Sequence, residues 1–100
     1  MKYGMNLLLW ATAVDESHDA ILEQIKRIGY DGVELPIFEH DAAAFERVGE
    51  KLDELGLERT AVTVSTEDAN PISADASIRA EAVVRLKRAV DMCRLSGVEM

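Results

Sequence analysis

The polar residues best placed to do chemistry in this chain stand at the ends of apolar runs. Glu34 lies between Val33 and Leu35, close to Pro36, which closes the run. A carboxylate in such surroundings is costly unless it is paired or solvated. Either an Arg or Lys in an adjacent loop holds it, or it accepts hydrogen bonds from ligand hydroxyls, and its position favours the second. Asn6 interrupts residues 3–9, which are otherwise almost wholly apolar. A buried amide must find partners in protein, water or ligand. Asn6 is therefore satisfied by neighbouring strands or faces a ligand. Trp10 follows, with a ring that can wall a pocket or pack on the next helix. Ser65 and Thr66 offer hydroxyls that suit a site and a turn equally well.

Other chemistry-bearing residues are weaker candidates. His18 falls among acids at a helix start and reads as solvated. Glu39-His40-Asp41 is rich in ligand types, but adjacent residues point in different directions and Asp41 is better used as a helix cap. Cys93 reads as core rather than nucleophile. Lys26-Arg27, Arg85 and Lys87-Arg88 read as ordinary solvated charge on helical faces. There is no Gly-rich phosphate loop, no H-E-x-x-H and no G-x-S-x-G.

The elements that must position these residues alternate regularly. Residues 3–9 read as a strand buried on both faces. Ile21, Leu22, Ile25 and Ile28 follow at helical spacing after a cluster of Asp and Ser, and Gly29 ends that helix. Residues 31–36 form a second strand. Asp41 caps a helix whose stripe is Phe45, Val48, Leu52 and Leu55, closed by Gly56. Residues 60–64, mostly β-branched, make a third strand, and residues 66–75 an ordered loop. Asp75 or Ser77 caps a longer helix with Ile78, Ala82, Leu86, Ala89 and Cys93 on one side, and Gly97 ends it. Residues 98–100 begin a fourth strand.

The order β-α-β-α-β-α-β requires parallel strands, because each crossover returns the chain to the same end of the sheet. Doubly wound sheets and closed barrels share this order. Neither is complete in 100 residues, since a barrel takes roughly 250. The expectation is thus the N-terminal part of one domain, residues 1–100.

Composition narrows the partners. Nineteen acidic residues against eleven basic ones give a net charge of −8, which disfavours nucleic acid and anionic membrane surfaces. A small neutral ligand, or a cation held by carboxylates, fits better. One cysteine permits no internal disulfide, and no run has the length of a signal peptide's core or a membrane span. The expected location is the cytoplasm.

Three segments carry a family resemblance: M-K-Y-G-M-N-L-L-L-W, I-K-R-I-G-Y-D-G-V-E-L and N-P-I-S-A-D-A-S-I-R-A. They resemble the opening of the ketose 3-epimerases, the D-tagatose and D-psicose (allulose) 3-epimerase group of the xylose-isomerase-like barrel superfamily. G-Y-D-G-V-E is common across that superfamily, whereas the piece from Ser73 to Arg79 is more typical of the epimerases. The resemblance implies the N-terminal βαβαβαβ portion of a (β/α)8 TIM barrel, about three of eight βα units.

It also implies metal-dependent epimerisation of a ketose at C3 through an enediolate. The divalent metal (Mn2+, Co2+ or Mg2+) would be bound by two Glu, one Asp and one His beyond residue 100. Asn6, Trp10, Glu34 and Ser65 would form the early wall of the sugar pocket, with no metal ligand or catalytic residue among these 100. Asn6 stands where the family commonly has a substrate-contacting Tyr, and Val14 falls near a common Trp. Val62 and Val64 replace small residues at the third strand's end. These departures imply a pocket altered around the sugar's distal end. The alternatives are another enzyme on the same barrel (a sugar or hydroxypyruvate isomerase, or an inosose dehydratase) or a non-catalytic βα module needing a partner chain. Homo-oligomerisation is compatible with all of them.

Overall fold

The computed structural model describes residues 1–99 of the chain. Three strands, β1 (Gly4–Asn6), β2 (Gly32–Pro36) and β3 (Glu58–Val62), form one parallel sheet in the order β1-β2-β3. Three helices follow them in turn: α1 (Asp19–Ile28), α2 (Ala42–Leu55) and α3 (Ala76–Leu95). The register sets Gly4 opposite Gly32, Asn6 opposite Glu34, and Glu34 opposite Thr60.

Strand alternation divides each strand between two faces. Val33 and Leu35 pack with Leu22 and Ile25 of α1 and with Val48 and Leu52 of α2. Leu22 and Leu52 are completely buried, and each such side chain contributes about 1.5–3 kcal/mol of hydrophobic stabilisation. Ala61, which pairs with Leu35, packs beneath α3 with Ile37, Ala89, Met92 and Cys93. All three helices therefore cover one face of the sheet. Sequential strand order with helices on one side is the arrangement of a barrel wall. A doubly wound sheet reverses its strand order and carries helices on both faces.

Local chemistry accounts for the element ends. Asp41 caps α2 by accepting from the Ala44 amide at 3.2 Å, and Asp75 caps α3 by accepting from Ser77 at 2.8 Å. Gly29 and Gly56 end α1 and α2 with φ of 112° and 67°, a conformation open to glycine and costly for most other residues.

Several elements differ from the sequence reading. The first strand stops at Asn6, and Leu7–Leu9 is a 3₁₀ turn. The Asn6 side chain accepts from the Leu8 amide at 2.9 Å, diverting the backbone from the ladder in the way Asn does at caps and turns. The third strand begins two residues earlier than expected because Arg59, whose side chain is only 9% exposed, is accommodated beneath the helices. Its guanidinium donates to the carbonyls of Gly49 (3.2 Å), Ser96 (3.0 Å) and Leu57 (2.8 Å) and pairs with Asp53 at 2.7 Å. Ile28 and Leu86 are 66% and 42% exposed rather than buried with their stripes. His18 is half-buried rather than freely solvated: its Nδ1 accepts from the Asp15 amide at 3.1 Å and completes a capping box at the 3₁₀ turn Glu16–His18 leading into α1. Of the expected fourth strand, Val98 and Glu99 form no strand, and Met100 lies outside the described residues.

Candidate functional site

The face of the sheet away from the helices presents Gly4, Asn6, Gly32, Glu34, Glu58 and Thr60 to an open hollow of about 820 Å³, which continues past the start of β3 to Asp53, Leu57, Arg59 and Gly97. Its central row is polar on all three strands. Asn6 donates through Nδ2 to Glu34 Oε1 at 3.2 Å, and the Thr60 hydroxyl donates to Glu34 Oε2 at 3.1 Å. Parallel pairing makes this row: with Asn6 opposite Glu34 and Glu34 opposite Thr60, three side chains on one face meet across adjacent strands.

Among the described residues no Arg or Lys holds Glu34, so its two oxygens rest on neutral donors. An ionised carboxylate accepts about four hydrogen bonds. Two are used here, and this half-buried group lines the hollow with acceptor capacity to spare. What the row can do chemically is accept hydrogen bonds from hydroxyls of a polar ligand.

Of the residues singled out from the sequence, the structure thus brings Asn6 and Glu34 together. Trp10 follows the 3₁₀ turn and is 46% exposed. Its backbone amide donates to the Leu7 carbonyl at 3.0 Å. Ser65 is exposed in the loop after β3 and borders a separate hollow of about 110 Å³, with Phe38, His40, Thr63, Val64 and Arg85. Neither Trp10 nor Ser65 lines the larger hollow.

Thr60 was not singled out, although its strand position signals it once the register with Glu34 is known. Arg85 is also misread as plain solvated charge. It is half-buried and pairs with Asp68 at 2.9 Å and Glu81 at 3.1 Å. The Thr66 hydroxyl and the Arg85 guanidinium bond Asp68 and hold its carboxyl at about 2, well below the usual 3.8. The loop from β3 to α3 is fastened beside the strand ends by this cluster.

The residues present do not fit a divalent-metal centre. Among the described residues no group of three or more His, Cys, Asp and Glu is arranged to hold a metal ion. Asp41 of the Glu39-His40-Asp41 run is committed to capping α2, and Glu34 faces an amide and a hydroxyl. Among the described residues no helix is long and apolar enough to cross a membrane.

A parallel wall with sequential strands and a polar row on its inner face defines a piece of an α/β barrel. The sequence model of the xylose isomerase-like TIM barrel family matches residues 22–100. The chain belongs to that family.

Three solved structures superimpose closely on the chain. A D-psicose 3-epimerase, crystallised in the presence of D-fructose, matches with a TM-score of 0.80 and 20% identity over 97% of this chain. A D-allulose 3-epimerase from Methylomonas sp., in complex with D-allulose, matches with a TM-score of 0.80 and 23% identity, again over 97%. A D-psicose 3-epimerase from Clostridium cellulolyticum H10, with D-tagatose, gives 0.82 and 18% over 99%. The chain spans 34–35% of the length of these structures. No curated protein matches at a significant level.

Proposed function

We propose that this chain supplies the first three βα units of a barrel that epimerises a free ketose at C3. The observation that carries the reading is the polar row Asn6–Glu34–Thr60, open on the inner face of the barrel wall. Support comes from the likeness of the whole wall to three ketose 3-epimerase structures. In this reading Glu34 accepts hydrogen bonds from the sugar with its unused lone pairs. Asn6 fixes the orientation of that carboxylate, and Trp10 offers an aromatic wall at the rim. Ser65, at the mouth of the smaller hollow, contributes a hydroxyl toward the sugar's distal end. The divalent cation that this chemistry calls for (Mn2+, Co2+ or Mg2+) is assigned to ligands outside the described residues.

The test uses the protein expressed from its complete reading frame, stripped with a chelator and resupplied with Mn2+ or Co2+. It is incubated with fructose, tagatose, ribulose and psicose, and the products are separated by chromatography. The reading predicts a C3 epimer that appears only with metal. An aldose product would instead assign an aldose–ketose isomerase. No product from folded, metal-loaded protein would leave the likeness at the level of fold.

A further inference from the structure

We infer that Glu34 and Asn6 act as positioning residues for Trp10, through a hydrogen-bond relay running from β2 into the first rim turn. The inference rests on the sugar-site reading for its functional consequence, but the relay itself is independent of it. Its links are all in the structure. Glu34 Oε1 accepts from Asn6 Nδ2 at 3.2 Å, and Asn6 Oδ1 accepts from the Leu8 amide at 2.9 Å. The Leu7 carbonyl then accepts from the amides of Trp10 (3.0 Å) and Ala11 (3.2 Å).

The polarity of this chain is fixed at both ends. A backbone amide can only donate, so the Asn6 oxygen must face Leu8. Its nitrogen then faces Glu34, which as a carboxylate can only accept. Asn6 is thereby held in one of its two amide orientations, and a single 3₁₀ turn is capped by a group that β2 controls. Leu7, 3% exposed in the core, anchors the other side of the turn. Leu8, Leu9 and Trp10 are left 38%, 73% and 46% exposed. With so little of its own burial to hold it, the Trp10 segment depends on the cap for its place. Thr60 completes the relay by holding the second oxygen of Glu34.

The relay can be broken and re-formed by exchanging its polarity. Asn6→Asp keeps the acceptor for Leu8 but sets a second carboxylate against Glu34. Glu34→Gln can turn its oxygen to the Asn6 amide and its own amide to the Thr60 hydroxyl, which accepts as well as donates, so it keeps the relay and serves as the conservative control. The double variant Asn6→Asp/Glu34→Gln restores a donor–acceptor pair, now running in the opposite direction. The readout is acrylamide quenching of Trp10 in the protein from the complete reading frame, with the signal taken as the difference from Trp10→Phe.

Asn6→Asp is expected to raise the quenching constant of Trp10 about twofold, Glu34→Gln to leave it near the parent value, and the double variant to return it to that value. For the ketose substrate, Asn6→Asp is expected to raise KM about fivefold with kcat little changed, since an aromatic wall contributes binding rather than chemistry. An Asn6→Asp protein that quenches like the parent would overturn the relay. So would a double variant no better than Asn6→Asp at equal far-UV circular dichroism. If the quenching pattern holds and no ketose is turned over, the relay stands and the sugar-site reading falls.

Discussion

Gly4 and Gly32 face each other in the register of β1 and β2, yet replacing them with alanine is expected to have opposite effects. A Cβ added at Gly4 would lie 3.6 Å from the Gly32 carbonyl oxygen, an ordinary van der Waals contact. A Cβ added at Gly32 would lie 2.5 Å from the carbonyl oxygen of Glu58, 2.9 Å from its carbon and 3.2 Å from its Cβ. The obstacle is strand backbone, which cannot swing aside as a long side chain does. β3 must move away from β2, next to the row in which Thr60 reaches Glu34. Overpacking of this kind costs about 2 kcal/mol, against which the lost flexibility of the unfolded glycine returns only about 0.5–1 kcal/mol. The net loss of about 1–1.5 kcal/mol corresponds to a fall in Tm of about 2–6 °C in a barrel of roughly 250 residues. Gly4→Ala has only the favourable part and is expected to be neutral or to raise Tm by a few degrees. Paired thermal melts by circular dichroism decide the matter. Equal Tm values for the two variants, or a Gly32→Ala protein as stable as the parent, would refute the argument.

Three further outcomes are expected. Arg59→Leu leaves the carbonyls of Gly49 and Ser96 without their guanidinium partner and should cost about 3 kcal/mol, seen as a shift in denaturant midpoint at unchanged m. Because its folded carboxyl sits below the usual value, Asp68 stabilises the loop fully above pH 3.8 and loses that contribution as pH falls toward 2. Its carbon-13 carboxyl resonance should titrate with a midpoint near 2, and a midpoint near 4 would show the Thr66–Asp68–Arg85 cluster absent in solution. Burial pushes the Cys93 thiol up, so a thiol reagent at pH 8 should react with it far more slowly in folded than in denatured protein. Equal rates would place Cys93 at the surface.

The parts of this fold legible in the sequence are those governed by local rules. Asp41 and Asp75 announce their helices because a short side-chain acceptor next to an apolar-periodic run has one good use. Gly29 and Gly56 announce helix ends because the backbone there needs a left-handed conformation. The apolar run Leu7-Leu8-Leu9 could not be divided the same way, since hydrophobicity alone does not separate a buried strand from a tight turn. The signal was Asn6, treated as an interruption of a strand when it was the cap of a turn. Arg59 hid the start of β3 because a charged residue reads as solvent-facing, whereas its guanidinium serves carbonyls from α2 and the end of α3.

The candidate site was legible to a similar depth. Glu34 and Asn6 stood out as polar residues in apolar strands, but that they touch follows from strand register, which periodicity does not encode. Thr60, a β-branched residue in a β-branched strand, carried no local signal at all. Periodicity left the barrel and the doubly wound sheet both open, the family resemblance pointed to the barrel, and strand order with the common face of the helices bears that out.

The most direct test of the account is proton exchange at the sugar carbons. Metal-loaded protein from the complete reading frame would be incubated with a ketose in D2O and followed by proton NMR. Deuterium entering at C3 alone, slowed in Glu34→Ala, is what a ketose 3-epimerase with this carboxylate in its sugar pocket predicts. Deuterium entering at C1, or a Glu34→Ala protein that exchanges as fast as the parent at subsaturating sugar, would contradict it.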